Sequence, residues 1–187
     1  MKAKDEQLHL WTLPNRLCYI RILFIPIIIF FIEREYVAFV LFILAGITDG
    51  LDGFVARRYK LTSKFGLYLD PIADKLLVSS VLIALTYYHS VPLWITIILV
   101  CREFVINGLR SFYAIEGITI YPSFTGKLKT TLQIVGIACI LLDRNPTNLI
   151  NKIGLYVMYA ALFFSMYSAI NYITAIFKPR KEVIGDG

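Results

Sequence analysis

Charge is scarce in this sequence. Asp, Glu, Lys and Arg make up 17% of the 187 residues, against about 25% in ordinary globular domains. That shortage excludes a soluble chain of usual composition. Hydrophobic residues reach 58%, above the usual range of about 45–50%. Cysteine is scarce too: Cys18, Cys101 and Cys139 are odd in number and each falls in an apolar stretch. They exclude a disulfide framework and are expected to be buried small hydrophobes. No internal repeat or low-complexity segment is visible. A basic start followed by the apolar run 20–32 imitates a secretory leader, but small residues suited to cleavage are missing. Glu33, Arg34 and Glu35 come instead, so the run is expected to be retained as a first span.

What the sequence has in abundance is apolar blocks near the length of about 20 residues that a helix needs to cross a bilayer. They predict an all-α fold in one domain, an integral membrane bundle of six transmembrane helices near 16–32, 36–57, 66–88, 92–114, 126–143 and 149–177. A short N-terminal amphipathic segment, 1–15, is expected to lie at the interface with Trp11 as anchor, and 178–187 to form a cytoplasmic tail. The formal charge of +6 does not point to nucleic acid. Arg57, Arg58, Lys60 and Lys64, and Lys178, Arg180 and Lys181, gather between or after the apolar blocks, as expected for contact with anionic membrane lipids. The first, third and fifth breaks hold few basic residues. Both termini and residues 49–74 should therefore face the cytoplasm, in a multi-pass protein of the cell (inner) membrane.

Four aspartates stand out. Asp49 and Asp52 are three apart near the end of the second span, and Asp70 and Asp74 four apart near the start of the third. Such spacings share a helix face, so two pairs on adjoining helices can converge. Four carboxylates in a partly desolvated place stay ionised only if positive charge joins them. Divalent ions with oxygen ligands, Mg²⁺ or Mn²⁺, are the natural partners, and a pair of them can clamp both oxygens of a phosphoryl displacement. Gly53, Ala56 and Gly66 leave room beside the carboxylates; for Gly66, helix packing explains the residue equally well. Arg57 suits a pyrophosphate, which a guanidinium holds bidentately.

Residues Asp49 to Asp74 fill every specified position of D-x2-D-G-x2-A-R-x8-G-x3-D-x3-D, and there the sequence resembles the CDP-alcohol phosphotransferase family. The resemblance implies that Asp49, Asp52, Asp70 and Asp74 bind two divalent cations. It also implies that Asp74 is the general base, and that Gly53, Arg57 and Ser63 contact the CDP moiety of CDP-diacylglycerol. Asn15 and Gly66 are counted with that lipid-nucleotide site. A homodimer is implied as well.

A second set of residues concerns the acceptor. Arg102 and Arg110 are eight apart on the fourth span, and Lys127 and Lys129 open the fifth. Convergent basic side chains beside a metal site would bind an anionic acceptor phosphate, while Glu103 could pair with Arg102 or another buried cation. The blocks R-E-x4-G-L-R and G-K-x-K-T, with Leu13 to Leu17 and Arg21, resemble the branch of the family that forms phosphatidylglycerophosphate. The implied acceptor is sn-glycerol 3-phosphate, with CMP released. Cys18 stands where that branch often has Thr. Other acceptors within the family, phosphatidylglycerol or inositol phosphate, remain open on these residues. From a different class, a membrane cation transporter would spread its carboxylates through the membrane depth.

Overall fold

The computed structural model describes residues 13–59, 64–115 and 124–177, with side chains described over a somewhat smaller set. Six helices follow in order: α1 (Leu13–Phe30), α2 (Glu35–Tyr59), α3 (Lys64–Tyr87), α4 (Leu93–Ile115), α5 (Phe124–Leu142) and α6 (Leu149–Phe177). No strand occurs among the described residues. Each helix matches one expected apolar block to within a few residues. The N-terminal boundary differs: residues 13–15 belong to α1 rather than to a separate lead, because Pro14, with its fixed φ, is well suited to a first helical turn. Residues 1–12 and the tail 178–187 lie outside the described residues.

The connections at one end are built by local capping. At the end of α3, Ser90 N–H donates to the Leu85 carbonyl and His89 N–H to that of Thr86, with His89 left-handed at φ 56°. This is a Schellman cap, in which the left-handed position usually holds glycine. Between α5 and α6, the Asn145 side chain accepts from Thr147 N–H and Asp143 from Asn145 N–H, so two short polar side chains replace lost helical bonds. Arg144 joins these turns: its Nε lies 3.4 Å from Glu35, Nη2 donates to the Glu33 carbonyl, and its guanidinium sits 4.9 Å from the Tyr88 ring centroid.

The core runs through α1 to α6, with Ile28, Phe42, Leu82, Leu85, Leu99, Ile140 and Met158 all buried. Among the described residues, α5 and α6 share the most extensive helix contact. A Cβ on Gly154 would stand 2.8 Å from Ile140 Cγ1 and 3.1 Å from the Gly136 carbonyl, and one on Gly136 would stand 2.8 Å from Met158 Sδ. Two glycines facing each other let the backbones touch, the packing mode used between helices in lipid.

The outer surface is apolar as well. Leu23, Ile83, Ile97, Phe104, Phe112 and Phe163 are each more than half exposed, an extent unusual for a soluble monomer. Among the described residues, one stretch, Leu149–Thr174, is by itself long and apolar enough to cross a bilayer; shorter apolar stretches run Tyr19–Phe30 and Glu35–Thr48. The cysteine expectation is corrected here: Cys101 is exposed and Cys139 only half-buried. In a bundle whose outside is also apolar, membership in an apolar block does not decide which way a side chain faces.

Candidate active site

The sequence places Asp49 and Asp52 in the last turns of α2, and Asp70 and Asp74 in the first turns of α3. Asp74 is the member of this set whose side chain is described; it is half-buried. The side chains of Asn15, Asp49, Asp52, Gly53, Arg57, Gly66 and Asp70, and the whole of Ser63, lie outside the described residues.

On one side of Asp74 a cavity of about 270 Å³ opens, walled by Arg21 of α1, Phe42, Ile43, Ala45, Gly46 and Ile47 of α2, Leu77 and Val78 of α3, and Ile134 of α5. The α2 wall ends two residues before Asp49, so the helix carrying the first aspartate pair borders the same space as Asp74. A Cβ built on Gly46 would meet nothing within 4 Å, so the wall is open at that point. Arg21 is 1% exposed, a buried guanidinium at the wall of a mostly apolar space. Carboxylate oxygen at the rim of such a space is the hard donor that Mg²⁺ takes, with water and phosphate oxygens completing its shell. Asp74 therefore fits the role of a metal ligand by donor chemistry and by access.

On the other side of Asp74 begins a chain of ion pairs. Lys75 Nζ lies 3.1 Å from Asp74 Oδ2 and 3.1 Å from Glu103 Oε1. The second oxygen of Glu103 pairs directly with Lys129 Nζ, and Arg102 Nη1 lies 3.6 Å from it. Arg102 Nε then donates to the Ser165 carbonyl at 3.2 Å. The network thus crosses α3, α4, α5 and α6. Three cations face two carboxylates in a place where Lys129 is 4% exposed. Charges so far from water persist only when each is paired, and Glu103 supplies the shared partner.

Of the expected acceptor contacts, Arg102 and Lys129 are drawn into this network. Arg110 and Lys127 are exposed on α4 and α5, with the Arg110 guanidinium 5.9 Å from the Tyr172 ring centroid. Glu103 does pair with Arg102, as its neighbourhood suggested, and with two lysines besides. Lys75 was not singled out in the sequence. The signal was available: a lysine in an apolar helix is costly without a carboxylate partner, and Asp74 precedes it directly.

The sequence profile described as CDP-alcohol phosphatidyltransferase matches residues 11–167. Among similar proteins, one from Bacillus subtilis named CDP-diacylglycerol–glycerol-3-phosphate 3-phosphatidyltransferase is 33% identical, over 88% of this chain and 95% of its own length. Proteins of the same name from Rickettsia bellii and Pectobacterium atrosepticum are 37% and 35% identical, over 88% of this chain and 94% of their own lengths. A match of this extent, joined to an aspartate motif complete from Asp49 to Asp74, means that this chain belongs to the CDP-alcohol phosphatidyltransferase family.

Proposed function

We propose that this chain transfers the phosphatidyl group of CDP-diacylglycerol to sn-glycerol 3-phosphate, forming phosphatidylglycerophosphate and releasing CMP. The observation that carries the reading is Asp74, poised between a cavity bordered by the aspartate-bearing helix α2 and a cluster of basic side chains on α4 and α5. The names and coverage of the relatives support the choice of acceptor.

In this reading Asp49, Asp52, Asp70 and Asp74 hold two divalent ions, Mg²⁺ or Mn²⁺. When bound, such ions neutralise charge on the pyrophosphate and stabilise the departing CMP. Gly53, Arg57, Ser63, Gly66 and Asn15 line the nucleotide-lipid side, with Arg57 holding phosphate oxygens. Arg110 and Lys127, exposed at the same end, take the acceptor's phosphate, while Arg102 and Lys129 add positive potential from within. Asp74 accepts the proton of the attacking hydroxyl; that oxygen bonds to the lipid-side phosphorus as the bond to CMP breaks.

The same proposal covers the setting. All six helices cross the cell membrane, both termini and the aspartates face the cytoplasm, and the acyl chains stay in lipid. The apolar outer surface supports this, as does the apolar stretch of α6. A homodimer belongs to the proposal on the strength of the family resemblance.

One experiment tests the reaction. Purified protein in lipid vesicles is given CDP-diacylglycerol with sn-glycerol 3-phosphate, inositol phosphate or phosphatidylglycerol in turn, and CMP is measured. CMP is expected with glycerol phosphate only, and to cease when EDTA removes divalent ions. Release with inositol phosphate alone would overturn the acceptor, and undiminished release in EDTA would overturn the metal site.

A further inference from the structure

The ion-pair chain beside Asp74 reaches further than its charge balance requires. Lys75 and Asp74 are sequence neighbours, and adjacent residues on a helix diverge by about 100°. Lys75 nevertheless brings its Nζ back to Asp74 Oδ2 while touching Glu103 Oε1, 3.1 Å in each case. A carboxylate held at one oxygen only can still rotate about its Cβ–Cγ bond. Held by an ammonium that is itself anchored to Glu103 of α4, it has one preferred orientation. Glu103 is in turn fixed at its other oxygen by buried Lys129 and by Arg102, and Arg102 is tied to the α6 backbone. The orientation of one carboxylate on α3 is thus referred to three other helices.

We propose that Lys75 is a positioning residue: by bridging Asp74 to Glu103 it sets the angle of the Asp74 carboxylate toward the cavity, and through it the rate of the chemical step. The inference rests on the assignment of Asp74 to catalysis made above. Direct contact with the acceptor is a separate matter: Arg110 and Lys127 stand outside the bridge at the exposed end of α4 and α5, and Arg102 and Lys129 keep their pairing with Glu103 when the Lys75 ammonium is lost. A positioning group that acts on the reacting carboxylate lowers kcat when lost and leaves substrate affinity alone. A group that only docks α3 against α4 lowers thermal stability instead.

The test uses the full chain in vesicles with Lys75→Met, which keeps the aliphatic stem and removes the ammonium, and Lys75→Arg, which restores a cation able to span both carboxylates. CMP release is followed as a function of glycerol phosphate, and the thermal midpoint of each protein is measured without substrate. Lys75→Met is expected to lower kcat by about 30-fold, with KM for the acceptor within about twofold and the midpoint close to that of the parent. Lys75→Arg is expected to recover at least about a third of the parent kcat. Lys75→Met turning over at the parent rate overturns the proposal. So does a loss of rate matched by a falling midpoint, or carried by KM alone, or not rescued by arginine. If Lys75→Met does not fold, Lys75→Arg and Lys75→Gln replace it under the same criteria: arginine retaining rate and glutamine losing it supports the bridge, and equal rates overturn it. Asp74→Asn is assayed beside them. An active Asp74→Asn protein removes the assignment of Asp74 itself, whereas an inactive one with a fully active Lys75→Met protein removes only the bridge.

Discussion

At one end of the bundle, Lys75, Glu103, Lys129 and Arg102 are sequestered between four helices. At the other end, Glu33, Glu35, Tyr88 and Arg144 tie three turns together near the surface. Both clusters contain arginine, carboxylate and hydroxyl or ammonium groups at similar separations. Their surroundings differ. Glu103 is 13% exposed along its side chain, Glu35 is 39% exposed, and an ion pair in water's reach contributes little because solvent screens it and the side chains lose freedom. Removing Glu103, the carboxylate the sequestered cations share, leaves buried positive charge unpaired, which costs several times more. The comparison separates a cluster that can orient Asp74, the proposed base, from one that fastens turns.

Four substitutions sharpen or break this contrast. The largest effect is expected for Asp74→Asn, which keeps size and one acceptor oxygen but cannot take a proton. CMP release should fall by about 1000-fold or more while circular dichroism remains that of the parent. Next is Glu103→Ala, which takes from buried Lys129 its carboxylate and leaves Lys75 with Asp74 and Arg102 with the Ser165 carbonyl. Unfolding in detergent micelles should occur with about 3 kcal/mol less stability; a loss below about 1 kcal/mol would mean that water reaches the network and that the two ends are alike. Arg144→Ala should cost about 0.5–1 kcal/mol, the sum expected of an exposed pair and a cation–π contact. Its CMP release should match the parent, and a fall in rate would break the division of labour between the ends. The smallest effect is a gain: His89→Gly relieves the left-handed backbone of the α3 cap and should raise stability by about 1 kcal/mol, read as a higher thermal midpoint.

The helices were legible because their signal is local. Apolar blocks bounded by Pro92, Pro146 and short charged breaks predicted all six elements, and α4 was expected at 92–114 and observed at Leu93–Ile115. The i,i+3 and i,i+4 aspartate spacings were equally local and put the two pairs on helices consecutive in the chain, α2 and α3. Facing was harder. Cys101 lies in an apolar block and is exposed, because period alone does not distinguish a core-facing stripe from an apolar outer face. Lys75 was missed for a related reason: its neighbour in the chain is visible, but Glu103 lies 28 residues away on another helix.

The amino-acid order by itself determined which segments become helices, which carboxylates share a turn, and the family motif from Asp49 to Asp74, since each depends on spacing along one strand of backbone. Only the tertiary structure decided that Lys129 is buried against Glu103 while Lys127 is exposed, and that Gly136 meets Gly154. It also decided that the Asp74 carboxylate is bridged to α4. Those outcomes depend on how separate helices rotate about their axes to exclude water and pair buried charge, and no local spacing encodes that rotation.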